Sequence, residues 1–217
     1  MNGAPPAPFA DPAGTWNRRF EGDGFHFGTA PNAWLVEHAG LFRSGQRVLC
    51  VADGEGRNSV WLAGRGLEVH AFDVAEVGVD KARRFAAERG VRVDFTVSDC
   101  DAYAWPADAF DAVVAIFVQF ADPAMRERLF ANMVRSLRPG GVLALLGYAV
   151  KQLEYGTGGP PIASHLYTPA LLRDAFGDLD IVELREFEAE LAEGTGHCGR
   201  SALVGLVARR PAGPGPA

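Results

Sequence analysis

The sequence predicts an α/β domain with a doubly wound, mostly parallel seven-stranded sheet that ends in a C-terminal antiparallel hairpin. Two patterns predict this fold. From Arg47 onward, short apolar runs alternate with segments of helical periodicity, which is the order of consecutive βαβ units. After Tyr148 this alternation stops, and two long strand-like segments flank a glycine-rich turn.

The parallel part is predicted element by element. A valine-rich strand begins at Arg47, and the nearly all-apolar run Asp111–Val118 is typical of a central strand covered on both faces. Apolar residues at helical spacing predict the helices, and Pro139-Gly140-Gly141 is expected to form the turn that follows one of them. The remaining elements are a helix over about 58–65, strands over 68–72 and 91–97, helices over 77–89 and 125–137, and a strand over 142–148.

The C-terminal part predicts a helix and a hairpin. Thr168 is the expected N-cap and Pro169 the first residue of a helix that runs to Phe176. The strands Ile181–Leu191 and Ser201–Arg209 would then pair on either side of a glycine-rich loop.

Composition bounds the domain organisation and the partners. The 217 residues, 48% of them hydrophobic, suit one domain over residues 15–210, with disordered tails at 1–14 and 211–217 and an aromatic-rich lid segment at 15–45. A net charge of −6 without a cluster of lysine and arginine disfavours nucleic acid as a partner.

Cysteine usage and hydropathy point to a compartment. The three cysteines are odd in number and lack CxxC spacing, so we expect reduced thiols, and we expect no metal because His197-Cys198 has no further ligands nearby in sequence. No apolar stretch is long enough for a membrane helix, and the N-terminus lacks the basic-then-apolar order of a signal peptide. The expectation is a cytoplasmic protein with no membrane partner.

The end of the first strand carries the first candidate site. Gly54 and Gly56 separate the strand from a helix, so a ligand could approach the backbone and the free N–H groups of the first helical turn. An ordinary βα turn would have the same pattern. Asp73 ends the second strand, where its carboxylate could accept hydrogen bonds from both hydroxyls of a ribose or could cap a helix. Asp99 ends the third strand and could accept from an adenine amino group or could cap a turn with Asp101.

These motifs occur in the order of a known family. The chain resembles the class I S-adenosylmethionine-dependent methyltransferases, which have a Rossmann-like fold. The matching motifs are Val48–Gly56, Phe72-Asp73-Val74, Ser98-Asp99-Cys100, Phe110–Val114 and Leu137–Gly141. More narrowly, it is similar to the small bacterial methyltransferases grouped with tellurite-resistance and thiopurine-type enzymes. That likeness rests on Gly54–Asn58, Gly156–Pro160, and Glu193-Gly194 with His197 and Gly199.

The resemblance implies a cofactor and the residues that bind it. The cofactor would be S-adenosylmethionine, with S-adenosylhomocysteine as product. The implied binding residues are Arg19, Ala52, Asp53, Gly54, Gly56, Asp73, Val74, Asp99, Cys100 and Phe117. Arg19 would bind the methionine carboxylate, although a surface salt bridge is the alternative. Cys50 stands where the family often has an acidic residue and Ala52 where it has a glycine, and we hypothesise that Asp53 supplies the missing charge.

The implied reaction is methyl transfer to a small-molecule acceptor by in-line displacement, with proximity and desolvation as the main catalytic contributions. His197 and Tyr148 are the candidates for a base or acceptor contact, together with His26, although a histidine in a glycine-rich loop could simply face solvent. Phe117, Phe27 and Trp16 could face the sulfonium or belong to the core. An NAD(P)-dependent oxidoreductase and a non-catalytic S-adenosylmethionine-binding protein remain the alternative functions.

Overall fold

The computed structural model describes residues 11–213, and its seven-stranded sheet has the order β3-β2-β1-β4-β5-β7-β6. The strands are β1 (Arg47–Val51), β2 (Glu68–Asp73), β3 (Val93–Val97), β4 (Phe110–Ile116), β5 (Leu137–Tyr148), β6 (Asp180–Glu193) and β7 (His197–Arg209). The helices are α1 (Pro12–Phe20), α2 (Ala33–Glu37), α3 (Arg57–Gly64), α4 (Glu76–Glu88), α5 (Pro123–Ser136) and α6 (Pro169–Ala175). Short 3-10 turns lie at Ala39–Leu41, Val150–Glu154 and Ala163–His165.

This architecture confirms the predicted fold class. The first five strands pair in parallel, while β7 runs antiparallel between β5 and β6. Alternate residues of the central strands face opposite sides of the sheet, so Val113 belongs to one hydrophobic cluster and Val114 to the other. Both faces are therefore buried, which explains why β4 is apolar almost throughout. Within residues 11–213, no helix has the length and apolar character needed to cross a membrane.

The N-terminal boundary differs from the prediction. Residues 12–14 were expected to be part of a disordered tail, but they form the first turn of α1. Asp11 caps this helix by accepting a hydrogen bond from the Gly14 N–H at 2.9 Å, and Pro12 stands at its first position, where a missing N–H costs nothing. The rest of the predicted tails, residues 1–10 and 214–217, lies outside the described residues.

The start of β5 also differs. The predicted turn at Pro139–Gly141 belongs to the strand, which begins at Leu137 directly after α5. Leu137 pairs with Phe110, and the backbones of Gly140 and Gly141 exchange hydrogen bonds with Arg210 at 2.9 and 2.8 Å. Because these neighbours supply ladder partners, the proline and glycines do not end the pairing.

The hairpin is longer than predicted. β6 extends to Glu193 and pairs with His197 at the start of β7, which leaves a turn of Gly194–Gly196. A side chain at Gly194 or Gly196 would collide with the chain at His26 and Phe27, so the lid segment packs tightly on this turn. His197 is consequently only 7% exposed, and the alternative that it faces solvent is wrong.

Candidate active site

A cavity of about 1050 Å³ opens at the carboxyl ends of the parallel strands, where open α/β sheets bind their ligands. The glycine turn after β1 and the ends of β2 and β3 form one side. The lid segment, the loop around Gly158–Ile162 and the hairpin turn form the other. The predicted site residues that line this cavity are Arg19, Ala52, Asp53, Gly54, Asp73, Val74, Asp99, Cys100, Phe117, Tyr148 and His197.

The glycine turn has a left-handed backbone at three positions. The φ angles are 49° at Ala52, 61° at Gly54 and 88° at Gly56. A left-handed conformation costs a non-glycine residue roughly 1–2 kcal/mol, so Ala52 is held there by its surroundings. The neighbouring Asp53 N–H donates to the Phe72 carbonyl at 3.1 Å and ties the turn to β2. The turn thus adopts this conformation without the family's first glycine.

Gly56 does not line the cavity, unlike the other residues predicted to bind the cofactor. A Cβ atom at this position would lie 2.7 Å from the Cβ of Ala82 on α4. Gly56 therefore permits the close packing of α3 against α4. Gly54 does face the site, and a Cβ there would lie 3.3 Å from Cζ of Phe20, because α1 covers the turn.

Asp73 is 7% exposed and projects from the end of β2 into the cavity wall. Its Oδ2 accepts a hydrogen bond from the Gly54 N–H at 2.9 Å, and its Oδ1 accepts one from the Ala75 N–H at 2.8 Å. An ionised carboxylate has about four acceptor positions, so each oxygen can accept a further hydrogen bond. Burial raises the pKa of Asp73 to about 6, and these backbone N–H groups oppose the rise. The side chain is both a cap and a cavity-facing acceptor.

Asp53 lines the cavity where Cys50 offers no charge. Burial raises the pKa of the Cys50 thiol well above its usual value, so the thiol stays neutral. Asp53 accepts a hydrogen bond from the Ser59 hydroxyl, and burial raises its pKa to about 7. A carboxyl group thus lies beside the turn, but burial works against its ionisation, and the hypothesis that Asp53 supplies the missing charge stays a prediction.

Asp99 caps the turn that follows β3. Its Oδ1 accepts from the N–H groups of Asp101 and Ala102 at 2.9 and 2.7 Å, as the alternative interpretation expected. The residue nevertheless lines the cavity, together with its buried neighbour Cys100. The capping interaction and a ligand contact are compatible because the carboxylate has a second oxygen.

Arg19 lies on the exposed side of α1. Its guanidinium carbon is 4.6 Å from the centroid of the Trp16 ring, and both residues line the cavity. Within the described chain Arg19 makes no ion pair, so the predicted alternative of a surface salt bridge is not found.

An aromatic wall, formed by Phe27, Phe117, Tyr148 and His197, closes the cavity on the side of the hairpin. The His197 ring lies 4.4 Å from the ring of Phe27 and 4.2 Å from that of Phe117, which in turn stacks at 4.7 Å on Tyr148. The Tyr148 hydroxyl and Nδ1 of His197 are 2.6 Å apart. The structure therefore brings both predicted catalytic candidates together from different strands.

This hydrogen bond limits the chemistry of His197. Burial lowers its pKa to about 3, with further contributions from Arg57, His26 and Arg19, so the ring is neutral near pH 7. Burial also raises the pKa of Tyr148. If the tyrosine donates to Nδ1, the histidine presents an Nε2–H donor; if Nδ1–H donates to the tyrosine, Nε2 presents a lone pair. Only the second tautomer can accept a proton at Nε2.

A buried group around Arg57 was not predicted as part of the site. Nη2 of Arg57 contacts Oε2 of Glu193 at 2.7 Å, and Oε1 of Glu193 accepts from the Asn32 side chain at 2.7 Å. The Asn32 N–H donates to Oδ1 of Asn58 at 2.9 Å. These contacts join the lid segment, α3 and the hairpin turn. A possible signal was that both the Gly54–Asn58 motif and Glu193 belonged to the narrower resemblance.

A second buried ion pair joins the lid segment to the glycine turn. Nζ of Lys81 contacts Oε1 of Glu55 at 2.9 Å and the Gly24 carbonyl at 2.5 Å. Oε2 of Glu55 accepts from the His26 N–H at 2.7 Å. The chain at 24–26 is therefore anchored beside the cavity.

Over the part of the chain that the structure describes, no three His, Cys, Asp or Glu side chains are grouped so that they could hold a metal ion.

Residues 48–141 match the family model of the methyltransferase domain. These residues, less than half of the chain, are therefore similar to a methyltransferase domain. Demethylmenaquinone methyltransferase from Thermus thermophilus is 36% identical over 110 residues, which are 50% of this chain and 50% of that protein. The chain spans about half the length of the curated relatives it matches.

Solved structures share the fold of this chain. TehB from Haemophilus influenzae aligns with a TM-score of 0.69 at 19% identity over 84% of this chain and 63% of that one. The N-methyltransferase NodS from Bradyrhizobium japonicum, solved with S-adenosylhomocysteine, aligns with a TM-score of 0.68 at 18% identity over 92% and 98% of the two chains.

Proposed function

We propose that this chain is a class I S-adenosylmethionine-dependent methyltransferase, which transfers a methyl group from S-adenosylmethionine to a small-molecule acceptor. The observation that carries the proposal is one cavity with the glycine turn and Asp73 on one side and the aromatic wall on the other. Its volume of about 1050 Å³ lies at the upper end of the roughly 300–1,000 Å³ typical of ligand pockets. The volume supports a cofactor and a small acceptor bound side by side.

The cavity residues fit the cofactor. Asp73 has acceptor positions left for two ribose hydroxyls after its bonds to the backbone. Val74, Asp99 and Cys100 would surround the adenine, and Asp53 and Arg19 would face the amino and carboxylate groups of the methionine. An oxidoreductase is disfavoured because this sheet ends in an antiparallel hairpin of β6 and β7, which is foreign to the usual strand order of the dinucleotide-binding fold.

The bound cofactor would supply a methyl group on a positively charged sulfur. The chain would hold the acceptor in line with this group, and the lid segment and hairpin turn would exclude water. Orientation of this kind can supply on the order of 7–11 kcal/mol. Phe117 would face the sulfonium, and the pair of Tyr148 and His197 would contact the acceptor atom and, in the tautomer with a free Nε2, take its proton. The aromatic wall and the name of the Thermus relative favour an aromatic acceptor.

Calorimetric titration with S-adenosylmethionine, S-adenosylhomocysteine and NADH tests the proposal. We expect both sulfur ligands to bind, and Asp73→Ala to lose about 1.5–3 kcal/mol of binding free energy, since it removes hydrogen bonds to a charged acceptor. Asp101→Ala is the control, because Asp101 pairs with Arg128 at the surface and does not line the cavity. Binding of NADH without the sulfur ligands would contradict the proposal. A bound methyl-labelled cofactor that never transfers its label to an acceptor panel would favour the non-catalytic alternative.

A further inference from the structure

The Arg57 guanidinium is incompletely paired. Its side chain is 8% exposed, and Nη2 contacts Glu193 at 2.7 Å. Nη1 is buried and has no hydrogen-bond partner among residues 11–213. Buried guanidinium N–H groups ordinarily have an acceptor, because leaving a charged donor unpaired is costly.

The neighbouring carboxylates do not complete this group. Glu193 accepts from Arg57 through one oxygen and from Asn32 through the other. Asp53 is close enough for Arg57 to lower its pKa, but it accepts its hydrogen bond from Ser59. An acceptor for Nη1 is therefore missing from the described protein, although Arg57 lines the cavity.

The position of Arg57 indicates which ligand would supply that acceptor. Its guanidinium carbon lies 6.0 Å from the centroid of Phe27, the ring that stacks on His197. Arg57 thus adjoins the aromatic wall. The carboxylates of Asp73 and Asp99 stand at the ends of β2 and β3, on the side proposed for ribose and adenine.

We propose that Arg57 binds an anionic group of the methyl acceptor, a carboxylate or another oxyanion, through Nη1 while the aromatic wall contacts the acceptor's ring. The inference rests on the proposed function in one respect: it assumes that the cofactor occupies the side of the cavity with Asp73 and Asp99, which leaves the side with Arg57 to the acceptor. A planar guanidinium suits such a group, because it donates parallel hydrogen bonds to two oxygens. Glu193 neutralises the charge of Arg57 in the absence of the acceptor, and the shared carboxylate limits how strongly the anion is bound.

The experiment compares carboxylate probes with their neutral amides on protein saturated with S-adenosylhomocysteine. The pairs are benzoate and benzamide, 2-naphthoate and 2-naphthamide, and indole-3-acetate and indole-3-acetamide, with affinities measured by ligand-observed NMR titration. We expect the wild type to bind at least one carboxylate about tenfold more tightly than its amide, as a charge-assisted hydrogen bond allows. Arg57→Met should abolish that preference.

Glu193→Gln should change the carboxylate preference in the opposite direction. It tests the inference if Arg57→Met does not fold. It removes the competing carboxylate, so the preference for carboxylate probes should rise severalfold. Arg185→Met is the matched control, since Arg185 pairs with Glu37 at the surface and lies outside the cavity lining; it should keep the wild-type preference.

Three results would overturn the inference: no carboxylate preference in the wild type, a preference retained by Arg57→Met, or a preference that Glu193→Gln leaves unchanged or lowers. If Arg57→Met instead weakens S-adenosylhomocysteine binding tenfold and keeps the preference, Arg57 binds the cofactor and the inference is wrong while the proposed function stands. A wild type that fails to bind S-adenosylhomocysteine would sink the proposed function. The probe pairs, measured on the unloaded protein, would then decide the role of Arg57 separately.

Discussion

The two sides of the cavity are built in different ways. The side with Asp73 comes from the ends of neighbouring strands, and backbone N–H groups of Gly54 and Ala75 hold its carboxylate. The side with the aromatic wall brings together Phe27 and His197, which lie far apart in the sequence, through contacts between side chains. Sheet topology alone thus positions the first side, whereas the second exists only when the lid segment and the hairpin are packed.

Breaking the buried ion pair of Lys81 and Glu55, which joins the lid segment to the glycine turn, should have the largest effect on stability. Lys81→Met leaves Glu55 buried without its cation, and removing one partner of a buried ion pair costs about 3–5 kcal/mol of the free energy of unfolding. Urea denaturation at pH 7 measures this loss. Arg83→Met is the matched control, because Arg83 pairs with Asp80 at the surface and should change stability by less than about 1 kcal/mol. Equal losses of stability in the two variants would contradict the structural importance of the buried Lys81–Glu55 pair.

A smaller loss of stability is expected from a substitution in the glycine turn that affects folding but not ligand binding. Gly56→Ala places a Cβ atom 2.7 Å from that of Ala82 at a φ of +88°, so it should lower the free energy of unfolding by about 2–3 kcal/mol. Because Gly56 does not line the cavity, the folded variant should bind S-adenosylhomocysteine within about tenfold of the wild type. Gly40→Ala, which would meet no atom within 4 Å, is the control for the denaturation series. A large loss of affinity without a loss of stability would restore the predicted cofactor role of Gly56.

The pH dependence of stability should show the smallest effect, and it belongs to the strand-end side. The folded-state pKa of Asp53 is raised from 3.8 to about 7, so between these values the folded protein binds more protons than the unfolded chain. Its stability therefore falls as the pH rises through this window. Asp53→Asn should reduce this pH-dependent loss of unfolding free energy by about 1–2 kcal/mol. This is less than the whole pKa shift of Asp53 implies, because Asp53 is partly exposed.

Thermal or urea denaturation from pH 4 to pH 8 measures this profile. Asp73 keeps a residual slope in the variant, since its pKa is also raised, to about 6. Asp101→Asn is the control of opposite sign: Arg128 lowers the pKa of Asp101 from 3.8, so any change is confined to more acidic solutions. A profile in Asp53→Asn that matches the wild type would show that Asp53 does not titrate in this window.

The side of the cavity with Asp73 and Asp99 could be predicted from the sequence because it depends only on local patterns and on the order of the strands. The carboxyl ends of parallel strands must meet at one edge, so the placement of Asp73 and Asp99 followed from the strand order. That Gly56 does not line the cavity could not be predicted, because a glycine that allows two helices to approach has the same local pattern as one that admits a ligand. Residues 12–14 were misassigned because their composition outweighed the capping signal of Asp11 and Pro12.

The aromatic side was predicted only in part. His197 and Tyr148 were chosen as residue types, but their 2.6 Å contact depends on how β5 and β7 pair in the sheet. Glycines around His197 predicted a loop, whereas cross-strand pairing with Glu193 extends the hairpin. The contact between Arg57 and Glu193 spans 136 positions, and no local pattern indicates a partner at that distance.

β7 follows every other strand of the sheet along the chain, yet it lies between β5 and β6. During synthesis, the glycine turn, Asp73 and the five parallel strands all emerge before His197 does. The parallel strands meanwhile expose the β5 edge that β7 later covers. A nascent chain at that stage therefore carries the groups proposed for the cofactor, but its aromatic wall waits for a strand that must be inserted last and at long range, which is the slow kind of contact in folding.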